Sequence, residues 1–146
     1  MVMRWPGQIS AGAVYRNPVS TLDLLPTAVV AAGGTVESSW GLDGVNLIPF
    51  LKNQEKYQPH KVLYWRKGSE GAIRRDSWKL IFQPGKLSAL YDLSVDPGEK
   101  NDLSTKQRTR VAAMEVEWKQ WESGMGRSQP TEPPKGFKAP WLKQAH

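Results

Sequence analysis

The sequence predicts an α/β fold class, with an α+β arrangement inside this stretch: a small antiparallel sheet of about four strands packed by a C-terminal helix, preceded by a strand–helix piece. Three observations carry this. Four runs rich in β-branched and aromatic residues lie between positions 61 and 93, separated by too few residues for parallel crossovers. An apolar seam of Val111, Met114, Trp118, Trp121 and Met125 steps by threes and fours along a later segment. A shorter helical pattern, Leu22, Leu25, Val29 and Ala32, precedes both.

Residues 2–5 read as a short strand ended by Pro6-Gly7. The first helix starts after about Asp23, whose carboxylate is placed to cap free N–H groups. Pro26 then falls in the first turn, where its missing N–H costs nothing. Gly33-Gly34 ends the helix, with one glycine available for the left-handed C′ position. Asp43-Gly44 signals a turn, and Val45 to Leu51 a short buried segment. The four strands are expected at 61–66, 71–75, 78–82 and 89–93, with Gln83-Pro84-Gly85-Lys86 as a turn. Asp96-Pro97-Gly98-Glu99 is a further turn. The long helix is expected over 105–123, capped by Ser104 or Asp102, with its apolar seam across one face of the sheet. The Pro/Lys-rich stretch 126–146 reads as an extended or disordered tail.

Composition bounds the function. The chain has 146 residues, 39% apolar, with seven Trp and no Cys. Seven Trp are too many for a disordered chain, so a core is expected. Without cysteine there is no disulfide framework, no thiol nucleophile and no Cys-type zinc site. No apolar run approaches the roughly 18 residues of a membrane span. The N-terminus has no charged segment followed by an apolar stretch, so it does not read as a signal peptide. The net charge of +6 is uneven: residues 52–86 hold nine basic and three acidic residues, and 124–146 hold four and one. The first of these segments favours an anionic partner.

The chemistry on view is sparse. The two histidines, His60 and His146, form no paired ligand motif. The acidic cluster Asp92, Asp96, Glu99 and Asp102 lacks calcium-loop spacing, and turn and capping roles explain it. The glycines match no phosphate loop, and no nucleophile elbow accompanies His60. No catalytic residue and no metal ligand are assigned. The strongest feature is His60-Lys61…Trp65-Arg66-Lys67…Arg74-Arg75…Lys79. Arginine forks suit sulfate, phosphate or carboxylate, and a tryptophan beside them can stack on a sugar. Strand alternation sends Arg74 and Arg75 to opposite faces. No nucleic-acid recognition motif is present, so no nucleic acid is expected as partner.

Ordered blocks then identify a family. Val2 to Gly12 (VMRWPGQISAG), Ser20 to Thr27 (STLDLLPT), Gly33, and Leu42 to Leu47 (LDGVNL) closely resemble the C-terminal half of arylsulfatase-type, formylglycine-dependent sulfatases of the alkaline phosphatase superfamily. His60, Arg74 to Ile81 (RRDSWKLI), Leu90 to Leu93 (LYDL) and Asp96 to Leu103 (DPGEKNDL) continue in family order, so the resemblance covers about residues 1–125. It implies a larger α/β sulfatase domain ending at 1–51, a C-terminal antiparallel-sheet-plus-helix subdomain at 52–125, and the tail at 126–146.

The resemblance also implies what is missing. In the family, formylglycine formed within Cys/Ser-x-Pro/Ala-x-Arg attacks sulfur, while a Ca²⁺ ion polarises the sulfate. Neither the nucleophile motif nor the metal pairs occur in this chain, so calcium and formylglycine are expected only of the full-length enzyme, as is periplasmic or secreted localisation. The chain reads as the C-terminal portion of a sulfatase hydrolysing sulfate esters. It would support the fold and wall the substrate entrance, and be inactive alone. The expected partner is a sulfated small molecule or glycan, with His60, Arg66 and Lys67 as candidate substrate contacts. Asp23 and Asp43 are read as cap and turn former. The alternative is a free-standing anion- or glycan-binding module built on the basic 52–86 segment.

Overall fold

In the computed structural model, residues 1–126 are described, and they fall into two compact units, residues 1–63 and residues 64–126. The expected tail at 126–146 lies outside the described residues from 127 onward.

In the first unit, Ser20 opens a 3₁₀ turn at Thr21–Asp23 by a capping box. Its hydroxyl accepts from the Leu22 N–H at 3.2 Å, and the Asp23 carboxylate accepts from the Ser20 N–H at 2.7 Å. Helix α1 follows at Leu24–Ala31, with Pro26 in the first turn, where no intrahelical N–H is needed. It ends where Gly33 takes φ +83°, and the N–H groups of Gly33 and Gly34 bond the carbonyls of Val30 and Val29. Helix α2 is a single turn at Ile48–Leu51 that buries Phe50 against the edge of Tyr57.

Two expectations fail here. Residues 2–5 form no strand, because an extended segment becomes one only by pairing with a ladder, and no described strand neighbours it. The apolar stripe of α1 does not face inward either: Leu22 and Leu25 are 59% and 55% exposed. The buried residues are Asp23, Pro26 and Thr27, an i, i+3, i+4 set with polar groups at two of its three places. Those polar groups bind loop amides, which decides the matter: the Thr27 hydroxyl accepts from the Leu47 N–H at 2.9 Å.

The second unit is the expected meander. Strands β1 (Val62–Lys67), β2 (Glu70–Arg75), β3 (Trp78–Phe82) and β4 (Ala89–Asp92) lie in the order β1-β2-β3-β4. The β2–β3 connection is the two-residue loop Asp76-Ser77, closed by the Arg75↔Trp78 pair. Asp76 supplies its positive φ of 54°, and Asp tolerates that region better than most residues. Ile73, Leu80 and Leu90 pair side by side across three strands, each fully buried.

Helix α3 (Arg108–Ser123) lies against β2 and β3, burying Met114 and Trp118 as the seam predicts. Tyr64 stacks on Trp121 with ring centroids 4.8 Å apart, and Phe82 meets Trp118 at 4.5 Å. The Arg110 guanidinium lies 4.2 Å from the Trp78 ring centroid. The expected cap is corrected: α3 begins three residues late, after Gln107, with no side-chain cap. Asp102 instead accepts from the N–H groups of Leu90 and Ser104, tying the connection to β4.

Polar contacts close the helix–sheet layer. Glu117 on α3 takes the Arg75 guanidinium and the Tyr64 hydroxyl. The Arg75 hydrogen bond holds the Glu117 carboxyl below its ordinary value of 4.5; burial works against this, and the Arg75 charge and Tyr64 hydroxyl assist. Because the folded-state value is lowered, the stabilisation is complete above the unfolded value and fades as pH falls through the folded one. The stability difference between wild type and Glu117→Gln is therefore expected to be largest near neutrality and to shrink below about pH 4.5 in urea titrations. A difference constant from pH 7 to pH 3 would contradict this.

Candidate functional site

Alternation on the sheet sorts the basic run into two faces. Tyr64, Gly71, Arg75 and Phe82 point to α3, as their contacts with its side chains show. Trp65, Lys67, Ala72, Arg74 and Lys79 line grooves on the other face. Arg74 and Arg75 thus separate as expected, and Arg66 and Lys67 part in the same way. Arg66 donates to the Gly126 carbonyl at 2.5 Å, whereas Lys67 is exposed on the groove beside Trp65.

Arg74 and Lys79 are direct cross-strand partners. Like charges in that position repel. The Glu99 carboxylate pairs with Lys79 and offsets part of this. The Arg74 guanidinium is oriented by Nε donation to the Asp76 carbonyl at 3.1 Å.

His60 lies elsewhere, in the first unit, nearly buried against the fully buried Asp23. Its Nε2 sits 2.8 and 2.9 Å from the two carboxylate oxygens. Asp23 also accepts from the N–H of Val45 at 2.9 Å. One carboxylate therefore joins the start of α1, the 43–47 loop and the segment before β1. The expected cap is corrected: Asp23 stands at the N-cap of α1, but its carboxylate caps none of that helix's N–H groups and accepts instead from Ser20 and Val45; its partnership with His60, 37 residues away, is additional. No local motif encodes that pair; the only signal was the low number of histidines.

The acidic cluster is occupied by structural work. Asp92 accepts from the Ser94 hydroxyl and N–H, which hold its carboxyl low. Asp96 accepts from the N–H groups of Asn101 and Lys100, to the same effect. Burial alone would raise Asp102, but its bonds from the Ser104 and Leu90 amides outweigh it. Among the described residues no three His, Cys, Asp or Glu side chains converge to hold a metal ion. The residues described here thus do not fit a calcium site, and no cysteine is present as a formylglycine precursor. No described helix is long and apolar enough to cross a membrane.

A four-stranded meander closed by one amphipathic helix, after a short helix and loop pinned by a buried carboxylate, is a fold shared with a putative sulfatase from Bacteroides thetaiotaomicron among solved structures. More narrowly, the chain belongs to the family described as N-sulphoglucosamine sulphohydrolase, C-terminal, which it matches over residues 1–123. It is 32% identical over 106 residues to the choline-sulfatase of Rhizobium meliloti (strain 1021), covering 69% of this chain and 20% of that protein. It is 32% identical over 146 residues to the steryl-sulfatase of Homo sapiens, covering 75% and 24%. Among solved structures, Ps i-CgsB in complex with k-i-k-neocarrahexaose superposes with a TM-score of 0.73 at 35% identity, over 90% of this chain and 30% of that one. The chain spans about a fifth to a quarter of the length of these curated relatives.

Proposed function

We propose that this chain is the C-terminal portion of a sulfate-ester hydrolase, supporting the fold and walling the substrate entrance, and that it is inactive alone. The observation that carries the reading is the family match across residues 1–123, with the nucleophile motif absent from the sequence. Ps i-CgsB, seen with a carrageenan-type hexasaccharide, supports a sulfated glycan as the substrate class. The exposed apolar residues Leu22, in the 3₁₀ turn, and Leu25, in α1, fit a surface that the rest of the enzyme covers.

Among the candidate contacts His60, Arg66 and Lys67, the exposure of Lys67 supports a role at the entrance. His60 is paired with Asp23, and Arg66 donates to the Gly126 carbonyl. Hydrolysis of 4-nitrophenyl sulfate by the purified 146-residue chain is expected to stay at background. Genomic sequence read upstream of Met1 is expected to extend the frame through the family's nucleophile motif, and that longer protein should release sulfate. Turnover by the 146-residue chain itself would overturn the reading.

A further inference from the structure

Core packing leaves one aromatic side chain of the sheet unused. Trp65 is 46% exposed on the face away from α3, while on the opposite face Tyr64 stacks on Trp121 and Phe82 packs against Trp118. Ala72 beside Trp65 is too small to cover the indole, so a groove opens on each side. One, about 650 Å³, runs along Arg74, Leu93, Pro97 and Glu99; the other, about 200 Å³, runs along Lys67, Glu70 and Gln83. Both are floored by Ala72 and edged by Lys79.

The charges fit an anion better than they fit each other. Arg74 and Lys79 oppose one another across β2–β3, and Glu99 offsets only the Lys79 side. An anionic group above the pair would relieve the repulsion. The Arg74 fork is already oriented by the Asp76 carbonyl, so little ordering remains to be lost on binding. From β1 to β3 the platform spans about 10 Å at the usual strand separation, the reach of linked sugars rather than of a lone ion. The C–H face of a pyranose is apolar and weakly positive, and it complements the negative face of an indole.

We propose that this face is a subsite for a sulfated pyranose oligosaccharide, with Trp65 stacking on a ring and Arg74, flanked by Lys67 and Lys79, holding sulfate groups. The identity of the ligand rests on the sulfate-ester reading above. The test titrates the 146-residue chain with a sulfated carrageenan hexasaccharide, its desulfated counterpart and inorganic sulfate, followed by calorimetry. The sulfated sugar is expected to bind, and Trp65→Ala to weaken it about tenfold, equivalent to ~1.4 kcal/mol. Trp65→Phe should restore most of the loss. Arg74→Gln should erase the preference for the sulfated over the desulfated sugar.

Unaltered binding in Trp65→Ala overturns the proposal, as does absence of binding by the wild-type chain. Inorganic sulfate competing as well as the hexasaccharide would reduce the face to an anion site and also overturn it. Circular dichroism checks the folding of each variant; should Trp65→Ala not fold, Arg74→Gln and Lys67→Gln decide by the loss of sulfate preference. Sulfate release by the extended enzyme is read separately. Binding in the groove by a protein that never hydrolyses sulfate esters removes the enzymatic reading and leaves the groove, whereas hydrolysis with KM unchanged in Trp65→Ala removes the groove and leaves the enzyme.

Discussion

Replacing Asp23 by Ala is expected to destabilise the chain by about 3–5 kcal/mol, the range for removing one partner of a buried, hydrogen-bonded ionic group. The carboxylate is fully buried and serves three donors: the Ser20 amide, the Val45 amide and the His60 ring. Losing it strands all three, at roughly 1–3 kcal/mol for each donor that water cannot reach. Space for rearrangement is small. A Cβ on Gly44 would lie 2.1 Å from the Leu22 carbonyl oxygen and 2.8 Å from the Asp23 nitrogen, so the loop already touches the 3₁₀ turn backbone to backbone. Asp23→Asn, which keeps the shape but turns one acceptor into a donor, should fall between wild type and Ala. His60→Ala should lose less than Asp23→Ala, because the two amides keep their acceptor. In a double-mutant cycle the pair should be non-additive by more than the 0.5 kcal/mol typical of independent sites. Denaturant unfolding measures each value, and a loss under about 1 kcal/mol for Asp23→Ala would show that the carboxylate does not hold this unit together.

What was legible in the sequence divides along physical lines. The strands were, because period-two runs with short turns between them leave an antiparallel meander as the simplest solution. So was the buried seam of α3, since Met114 and Trp118 face a sheet that shares their apolar character. The inward face of α1 was not. Periodicity locates an apolar stripe but not its partner, and Thr27 and Asp23 went inward because loop amides awaited them. Asp102 misled for a related reason: an Asp before a helix caps well, yet its Oδ1 is taken by the Leu90 and Ser104 amides and α3 starts only at Arg108. Alternation separated Arg74 from Arg75, but the side facing the helix was settled only by Glu117 and Tyr64 on that layer. Trp65 reads from its neighbours Arg66 and Lys67 as a ring able to stack on a sugar, but only the fold shows which groove it faces.

Gly71→Ala is expected to destabilise the chain by up to about 3 kcal/mol, the upper end for overpacking a filled core. Glycine in a strand interior is ordinarily a weakness, and Ala there stabilises by about 0.5–1 kcal/mol. The opposite sign is expected because the new Cβ would sit 2.3 Å from Cζ2 of Trp118 and 2.8 Å from Cε2. Neither side can give way easily. Gly71 is fixed by its register with Phe82, and the Trp118 ring is held by Phe82 and by Trp121, 6.3 Å away. The aromatic contacts that fasten α3 to the sheet would move together, so loss of near-ultraviolet ellipticity should accompany the fall in melting temperature. Trp118→Phe supplies the control. It removes the atoms the new methyl would strike, and also an indole N–H that has no hydrogen-bond partner among the described residues. Trp118→Phe alone should lose packing, while Gly71→Ala added to it should have little further effect or a stabilising one. A Gly71→Ala variant as stable as wild type would mean that the helix does not press on the sheet at this point.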